Sequence, residues 1–314
     1  MSIVPTDVPM TSRLAEQLVQ ELTAQYPFLR SETLVSTRLG RPILALTIGT
    51  GPRRVLYSAA HHANEWLTAT VLLKFAEDLA EAIQSGSRLG GVDAAQLAEQ
   101  TTIHIVPMVD PDGVDLVTGA IAPGTEDYAQ AQALAEKYPA IPFPDGWKAN
   151  LSGVDLNLQY PAGWLMAREI KFSQGYTQPG PRDYVGRFPL SQPESLALYD
   201  YTERVDPAIV IAWHSQGEVI YWQYGGIAVS GARELAQRFA DASGYALEDT
   251  PYAYSFAGYK DWFIQAYRRP GFTIEVGTGT NPLPLEQFED IYQASLPSCW
   301  RAQRVDNTTA PMLK

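Results

Sequence analysis

Cysteine is nearly missing from this chain of 314 residues, and its scarcity excludes two kinds of site. Cys299 is the only cysteine. No disulfide can therefore form within the chain, and no cluster of thiolates can bind a metal ion. A free cysteine is more often a buried, inert side chain than a reactive one, and we expect Cys299 to be inert.

Positive charge is also scarce. The chain has 23 Lys and Arg residues against 35 Asp and Glu residues, which gives a formal net charge of −12. No run of basic residues offsets this balance, so binding to the phosphates of nucleic acid is disfavoured. The same balance gives little attraction to an anionic membrane surface.

Long apolar runs are absent. No stretch approaches the roughly 18 apolar residues that a transmembrane helix needs. Residues 1–7 also lack the basic segment and following apolar segment of a signal peptide. We therefore expect a cytoplasmic protein. A chain that had lost an N-terminal leader or module would look the same, so association with the cell wall remains an alternative.

What the chain does contain is material for one large core. Apolar residues make up 46% of the sequence and charged residues 18%. Predicted strands alternate with predicted helices throughout, which favours a single α/β domain with a mostly parallel, twisted sheet. We divide it into an N-terminal helix and lead-in over residues 1–30 and a catalytic domain over residues 31–305.

Periodicity locates the individual elements. Leucines at four-residue steps predict an amphipathic helix over residues 11–26, and two alternating runs predict an edge hairpin over residues 33–49. Residues 160–191 have no clear period and are predicted to be a long surface loop. We predict further helices over 65–83, 126–138, 193–205, 231–242, 259–268 and 284–303, and strands over 55–60, 102–108, 208–213, 219–223 and 272–276.

The motif His62-Ala-Asn-Glu65 follows an apolar strand and begins a helix, and a second strand ends at His214. Ligand sites in parallel sheets lie at the carboxyl ends of the strands. Two imidazoles and one carboxylate would fill three positions around a zinc ion and leave the fourth open. Three protein ligands with an open position are typical of a catalytic zinc ion. The alternatives are histidines that serve only packing, and a glutamate placed by the helix dipole.

Glu275 is a charged residue in the otherwise apolar strand Phe272–Val276. Such a position is unfavourable unless the charge is paired or used. We interpret Glu275 as a general base. The alternative is a buried ion pair with Arg268 or Lys260.

Several further motifs occur in a fixed order around these residues. The chain resembles the zinc carboxypeptidase (funnelin) family, and within it the bacterial γ-D-glutamyl-meso-diaminopimelate peptidases. The motifs that carry the resemblance are His61–Trp66, Asp110–Gly113, Trp147–Asn150, Gly153–Trp164, Pro181–Tyr184, His214–Glu218 and Gly271–Gly277.

The resemblance implies one zinc ion per chain, bound by His62, Glu65 and His214, with Glu275 as general base and acid. The zinc ion would activate a water molecule and polarise the scissile carbonyl. Lys148 occupies the position of the family's arginine that stabilises the oxyanion. The resemblance also implies a mixed sheet of about eight strands with helices on both faces.

Departures from the family pattern bear on the substrate. Asn157 matches one residue of the pair that grips a terminal carboxylate, but the partner arginine is replaced by Leu158, which cannot make a bidentate contact. The family's mobile tyrosine has no clear match, and Tyr252 and Tyr254 are the nearest candidates. Because Leu158 replaces the arginine, we expect this chain to remove ordinary C-terminal residues slowly.

The resemblance instead implies cleavage of the bond between D-glutamate and meso-diaminopimelate in murein peptides. Diaminopimelate carries a carboxylate and an ammonium at its far end. Arg182 with Asp183 could meet both charges, and Glu218 could face the ammonium. Alternatively Arg182 and Asp183 pair only with each other. Two rival functions are an ordinary metallocarboxypeptidase and a non-catalytic protein that binds murein peptides.

Overall fold

The computed structural model describes residues 2–302. The strands are β1 (Arg30–Ser36), β2 (Pro42–Ile48), β3 (Arg53–Ala59), β4 (Arg88–Leu89), β5 (Val92–Asp93), β6 (Thr101–Val106), β7 (Ile209–Ser215), β8 (Val219–Tyr221), β9 (Ala246–Glu248) and β10 (Gly271–Val276). The α-helices are α1 (Ser12–Gln25), α2 (Leu67–Ser85), α3 (Ala94–Gln100), α4 (Pro111–Val117), α5 (Glu126–Ala135), α6 (Trp164–Ser173), α7 (Pro193–Val205), α8 (Ala232–Ser243), α9 (Tyr259–Tyr267) and α10 (Phe288–Arg301).

Eight strands form one sheet in the order β1-β2-β6-β3-β7-β10-β8-β9. The four central strands β6, β3, β7 and β10 run parallel to one another. The hairpin β1–β2 pairs antiparallel at one edge, and β8 is antiparallel to β10 on the other side. The predicted mixed, mostly parallel α/β sheet of about eight strands is confirmed.

The central strands are apolar on both faces because helices cover both. Along β7, Ile211 and Trp213 belong to the larger core, whereas Val210 and Ala212 belong to the smaller one. This alternation is the two-residue period of a strand. Helices α1, α2, α8 and α10 pack against the larger core, and α7 and α9 pack against the smaller core.

The N-terminal helix is part of the same core. Leu18, Val19 and Leu22 of α1 lie in the larger hydrophobic cluster. Ser12 at the start of α1 donates from its backbone N–H and its hydroxyl to Asp115, at 2.7 and 2.6 Å. Residues 2–30 therefore pack onto the sheet and its helices.

Three observed helices, α3, α4 and α6, were absent from the prediction. Helix α6 lies inside the segment 160–191 that was predicted to be a loop. Its ten residues follow Pro161 and Gly163, and these turn residues masked the helical pattern. Helix α4 begins with Pro111 in its first turn and Asp110 as its N-cap, a signal of helix initiation that the prediction did not use. Strand β8 is also shorter than predicted and ends at Tyr221.

Among residues 2–302, none of the helices combines the length and the apolarity that crossing a lipid bilayer requires.

Candidate metal centre and active-site cavity

The candidate metal ligands lie where β3 and β7 end side by side. After β3 the chain enters a short 3₁₀ turn, Ala63–Glu65, which leads into α2. This turn places His62 and Glu65 on one side, with His62 Nδ1 2.9 Å from Glu65 Oε1. His214 is the sixth residue of β7 and is buried. The parallel pairing of the two strands therefore brings residues about 150 positions apart to one edge.

The donor atoms of these three residues converge. His214 Nδ1 lies 3.0 Å from Glu65 Oε2 and 3.3 Å from His62 Nδ1. Ligand atoms of all three residues lie within 4.8 Å of one another. Tetrahedral zinc with bonds of about 2.0–2.1 Å places neighbouring ligand atoms about 3.3 Å apart. The spacing of this donor set therefore fits a zinc ion.

Contacts on the outer side of the donor set orient it. His62 Nε2 lies 3.2 Å from Asp155 Oδ1, which turns Nδ1 toward Glu65 and His214. Burial lowers the pKa of His62, but Glu65 and Asp155 outweigh it and raise the pKa to about 9. The negative field that raises this pKa also favours a cation at the centre of the three side chains.

Glu65 remains charged although it is buried. Burial raises the pKa of its carboxyl, but His62 and Lys148 bring it well below its usual value. The backbone N–H of Ser215 also donates to Oε2, at 3.2 Å. A buried carboxylate held in the ionised form is suited to metal ligation.

Glu275 lies beside His214 because β10 and β7 pair in parallel with these two residues in register. Its carboxylate forms no hydrogen bond or ion pair with any residue of the described part of the chain. The alternative ion pair is not formed, since Lys260 bonds to Asp261 at 2.5 Å and to the carbonyl of Gln223 at 2.8 Å. Burial and the charge of Glu65 raise the pKa of Glu275. A free carboxylate with a raised pKa can both accept and donate a proton.

Lys148 lies next to the metal ligands on the loop before α6. Its Nζ is 2.7 Å from Glu65 Oε1. Its backbone is fixed on both sides, because its carbonyl accepts from Ala63 N–H at 3.1 Å and its N–H donates to the carbonyl of Pro181 at 2.7 Å. Burial lowers the pKa of Lys148, but Glu65 reverses the shift and raises it. The side chain is therefore cationic.

A cavity of about 1010 Å³ opens in front of these residues. One side, the strand wall, is formed by residues at or just after the ends of β3, β7 and β10. The other side, the loop wall, is formed by the irregular chain between α5 and α7 together with α6. The strand wall consists of the lining residues His62, Ser215 and Glu275, together with the buried donors Glu65 and His214 that complete the donor set. Members of the loop wall are Lys148, Asp155, Asn157, Leu158, Lys171, Arg182 and Asp183.

Asn157 and Leu158 both line the cavity. The side-chain carbonyl of Asn157 accepts from the backbone N–H of Tyr259 at 3.0 Å, so it also fixes the start of α9. Leu158 packs in a small apolar cluster with Trp164 and Val185. The residue that replaces the family's arginine is thus a structural anchor of the loop wall.

Arg182 and Asp183 line the cavity and pair with each other, and Lys171 is a further partner of Asp183. Asp183 is buried, and its two carboxylate oxygens contact Arg182 Nε and Lys171 Nζ, each at 2.6 Å. Lys171 was not predicted as a site residue because α6 was not recognised. If α6 had been predicted as an amphipathic helix, a lysine on its inward-packing face would have indicated a site residue.

Three other candidates from the sequence lie further out: Tyr254, Tyr252 and Glu218. Tyr254 lines the mouth of the cavity with 62% of its surface exposed, and its ring centroid is 4.7 Å from Lys171 Nζ. Tyr252 is 67% exposed and is not part of the lining. Glu218 is exposed in the turn between β7 and β8, and the structure does not bring it to the cavity.

His61 and Asp110 lie near the strand ends but outside the cavity lining, and His104 lies away from the site. His61 is fully buried and stacks on His214 with 5.3 Å between ring centroids. His104 contacts the hydroxyl of Tyr201 at 2.8 Å. Asp110 caps α4 through the N–H of Gly113, and burial raises its pKa well above the usual value. These residues position the core and the strand ends.

A mixed α/β sheet with a His-Glu-His donor set, an unpaired glutamate and a lysine at its carboxyl edge defines a metal-dependent hydrolase. The sequence matches the zinc carboxypeptidase family over residues 15–298. The chain belongs to this family. It is a zinc metallopeptidase, and zinc is its cofactor.

One curated relative and two solved structures are similar to this chain, the structures in fold alone. The chain is 42% identical over 278 residues to gamma-D-glutamyl-L-diamino acid endopeptidase 1 of Lysinibacillus sphaericus, covering 88% of this chain and 68% of the relative. Thrombin activatable fibrinolysis inhibitor has a similar fold, with a TM-score of 0.75 and 16% identity over 96% of this chain and 76% of that one. Murein-tripeptide amidase MpaA of Escherichia coli O157 has a TM-score of 0.53 and 19% identity over 86% of this chain and 91% of that one.

Proposed function

We propose that this protein hydrolyses the γ-D-glutamyl–meso-diaminopimelate bond of murein peptides, with zinc bound by His62, Glu65 and His214. The observation that carries the proposal is the unpaired Glu275 beside the His-Glu-His donor set. The name of the 42% identical relative supports the choice of bond, since that protein is a gamma-D-glutamyl-L-diamino acid endopeptidase. Leu158 supports it further, because it cannot grip an ordinary C-terminal carboxylate.

When bound, the zinc ion supplies a Lewis acid that polarises the scissile carbonyl and makes a water molecule more acidic. Glu275 takes a proton from the water and later delivers it to the amino group of the leaving diaminopimelate. Its raised pKa suits both steps. Lys148 stabilises the negative charge that develops on the carbonyl oxygen. To do so its ammonium must turn from Glu65, which it contacts at 2.7 Å.

The substrate contacts in this proposal are loop-wall residues and Tyr254. Asn157 and Arg182 line the cavity and can donate hydrogen bonds, and the exposed Tyr254 can cover a bound peptide. Asp183 holds Arg182 and Lys171 in place. Glu218 is left out of the proposed contacts because its exposed side chain lies outside the cavity.

The test is digestion of L-Ala-γ-D-Glu-meso-diaminopimelate by the full chain with zinc, followed by mass detection of free diaminopimelate. We expect release with zinc, loss of release with a chelator, and recovery when zinc is restored. A panel of dansylated α-linked peptides tests the rival carboxypeptidase activity. Faster cleavage of these peptides would overturn the proposal, and zinc binding without any turnover would favour a non-catalytic murein-peptide-binding protein.

The cytoplasmic location expected from the sequence stays a prediction. Cell fractionation with an antibody against the protein tests it. Recovery in the cytoplasmic fraction would favour a recycled tripeptide as the substrate, and recovery with the wall would favour intact murein.

A further inference from the structure

Three charged side chains of the loop wall form a cluster in which two cations share one carboxylate. Asp183 is only 7% exposed, and each of its carboxylate oxygens already has a cationic partner, Lys171 or Arg182, at 2.6 Å. Its backbone N–H donates to Asp155 Oδ2 at 3.2 Å. The ionised Asp155 also attracts both cations, but the direct ion pairs of Lys171 and Arg182 are with Asp183, which the two cations share.

Lys171 is the unusual member of the cluster. It is only 3% exposed, although its ammonium lies at the cavity lining. Its ammonium has three protons, and its contacts are the ion pair with Asp183 and the ring of Tyr254. A buried cation that shares its one ion-paired carboxylate with a second cation is stabilised further by an anion that contacts it directly.

The backbone ties this cluster to the residue that faces the scissile carbonyl. The carbonyl of Pro181 accepts from the N–H groups of Lys148 and Ala149, at 2.7 and 3.0 Å. Arg182 follows Pro181 directly, so it is held beside Lys148. Since Lys148 is proposed to contact the carbonyl oxygen of the acyl group, a substrate group next to that carbonyl would lie close to the cluster.

We propose that Lys171 and Arg182, held by Asp183, bind the free α-carboxylate of the residue that supplies the acyl group. The inference rests on the proposed function, because a γ-linked D-glutamate keeps an α-carboxylate close to its scissile carbonyl. An α-linked residue has no such group. The cluster therefore recognises the γ linkage itself, and Asp183 is a positioning residue whose oxygens are not free to receive an ammonium.

The experiment compares two substrates that differ in one group. One is L-Ala-γ-D-Glu-meso-diaminopimelate, and the other is its D-isoglutamine form, in which the α-carboxylate is a carboxamide. We expect the wild type to prefer the carboxylate by about 10- to 100-fold in kcat/KM, the effect of losing a hydrogen bond between charged groups. Lys171→Met should reduce this preference to within about threefold, and Lys171→Arg should restore it.

The matched control is Lys74→Met. Lys74 is also an ion-paired lysine, bonded to Glu77 at 3.1 Å, but it lies on α2 outside the cavity lining. This variant should keep the wild-type preference. Arg182→Met provides a second variant at a more exposed position, with 37% side-chain exposure, if Lys171→Met does not fold. Arg182→Met should also lower the preference for the carboxylate substrate over the carboxamide substrate.

The outcomes separate the two proposals. If the wild type cleaves both substrates equally well, or if folded Lys171→Met and Arg182→Met keep the full preference, the carboxylate subsite is wrong and the proposed function stands. If the wild type cleaves neither substrate, the proposed function fails and the subsite fails with it.

Discussion

The two walls of the cavity are built differently. The strand wall takes its reactive side chains from the ends of β3, β7 and β10, where His214 and Glu275 are aligned by the register of two paired strands. The loop wall has no sheet pairing of its own. It is held by side chains that bond to backbone, such as Asp155 to the N–H groups of Asn157 and Asp183. We therefore assign metal binding and proton transfer to the strand wall, and substrate selection together with the charge of Lys148 to the loop wall.

The largest effect should come from the strand wall. Glu275→Gln keeps the shape of the side chain but removes proton transfer, so kcat should fall by about 10³-fold. Zinc content, measured by metal analysis, should stay at one ion per chain. The control Glu248→Gln changes an exposed glutamate on β9 and should leave kcat unchanged. A Glu275→Gln protein with wild-type kcat would contradict the proposed base.

Lys148 tests whether the loop wall also contributes to chemistry. Lys148→Met should lower kcat by about 10²-fold, the range for removing one group that stabilises an oxyanion. KM should change little if the charge acts mainly in the transition state. Lys148→Arg should recover most of the activity, because the guanidinium keeps the charge. An equal loss in the arginine variant would mean that shape matters more than charge.

The apolar support of the loop wall should matter more for stability than for chemistry. Leu158→Ala removes buried contacts with Trp164 and Val185 and should lower the free energy of unfolding by about 2–4 kcal/mol. Urea denaturation measures the change. Leu165→Ala on α6 is the control, since Leu165 is 69% exposed and its loss should have an effect below about 0.5 kcal/mol.

The smallest effect should be a pH dependence of the free energy of unfolding, which comes from Glu194 beneath the loop wall. Glu194 in α7 is buried, and its carboxylate accepts from the amide of Asn150. Burial raises the pKa of Glu194 from 4.5 to about 7. The folded chain therefore binds this proton more tightly than the unfolded chain does. The resulting stabilisation is complete below about pH 4.5 and is lost as the pH rises through about 7.

Replacing Glu194 by glutamine should remove this part of the pH dependence. At pH 8 the Glu194→Gln variant should be more stable than the wild type by about 1–3 kcal/mol, and the difference should shrink at pH 5. Thermal or urea unfolding at the two pH values measures it. A difference that is the same at both values would show that the carboxylate does not titrate in this range.

The sequence was most informative for the strand wall. His62, His214 and Glu275 lie at or just after strand ends or in an apolar strand, and Glu65 follows His62 in the same motif, so local pattern and sheet topology together predicted their convergence. The positions of these residues depend on which segments form strands, and the periodicity of the sequence indicates those segments. The edge hairpin and the central strand were predicted for the same reason.

The loop wall was predicted less well. Helix α6 was hidden between turn residues, so Lys171 was not recognised, and Asp155 was not singled out although it contacts His62 at 3.2 Å. Glu218 was expected at the cavity because it follows His214 closely in sequence. It has a φ of 51° in the tight turn after β7, and the turn leaves its side chain exposed outside the cavity. Contacts of this kind depend on loop geometry, which the hydrophobic periodicity of the sequence does not predict.

Asp155 has a consequence for how the protein responds to its ligands. One of its oxygens orients a histidine of the metal centre, while the other holds the segment that carries Arg182 and Asp183. Any shift of that segment on peptide binding moves Asp155 and so changes its contact with the imidazole of His62. By thermodynamic reciprocity, peptide affinity and zinc affinity are then coupled by the same factor in both directions.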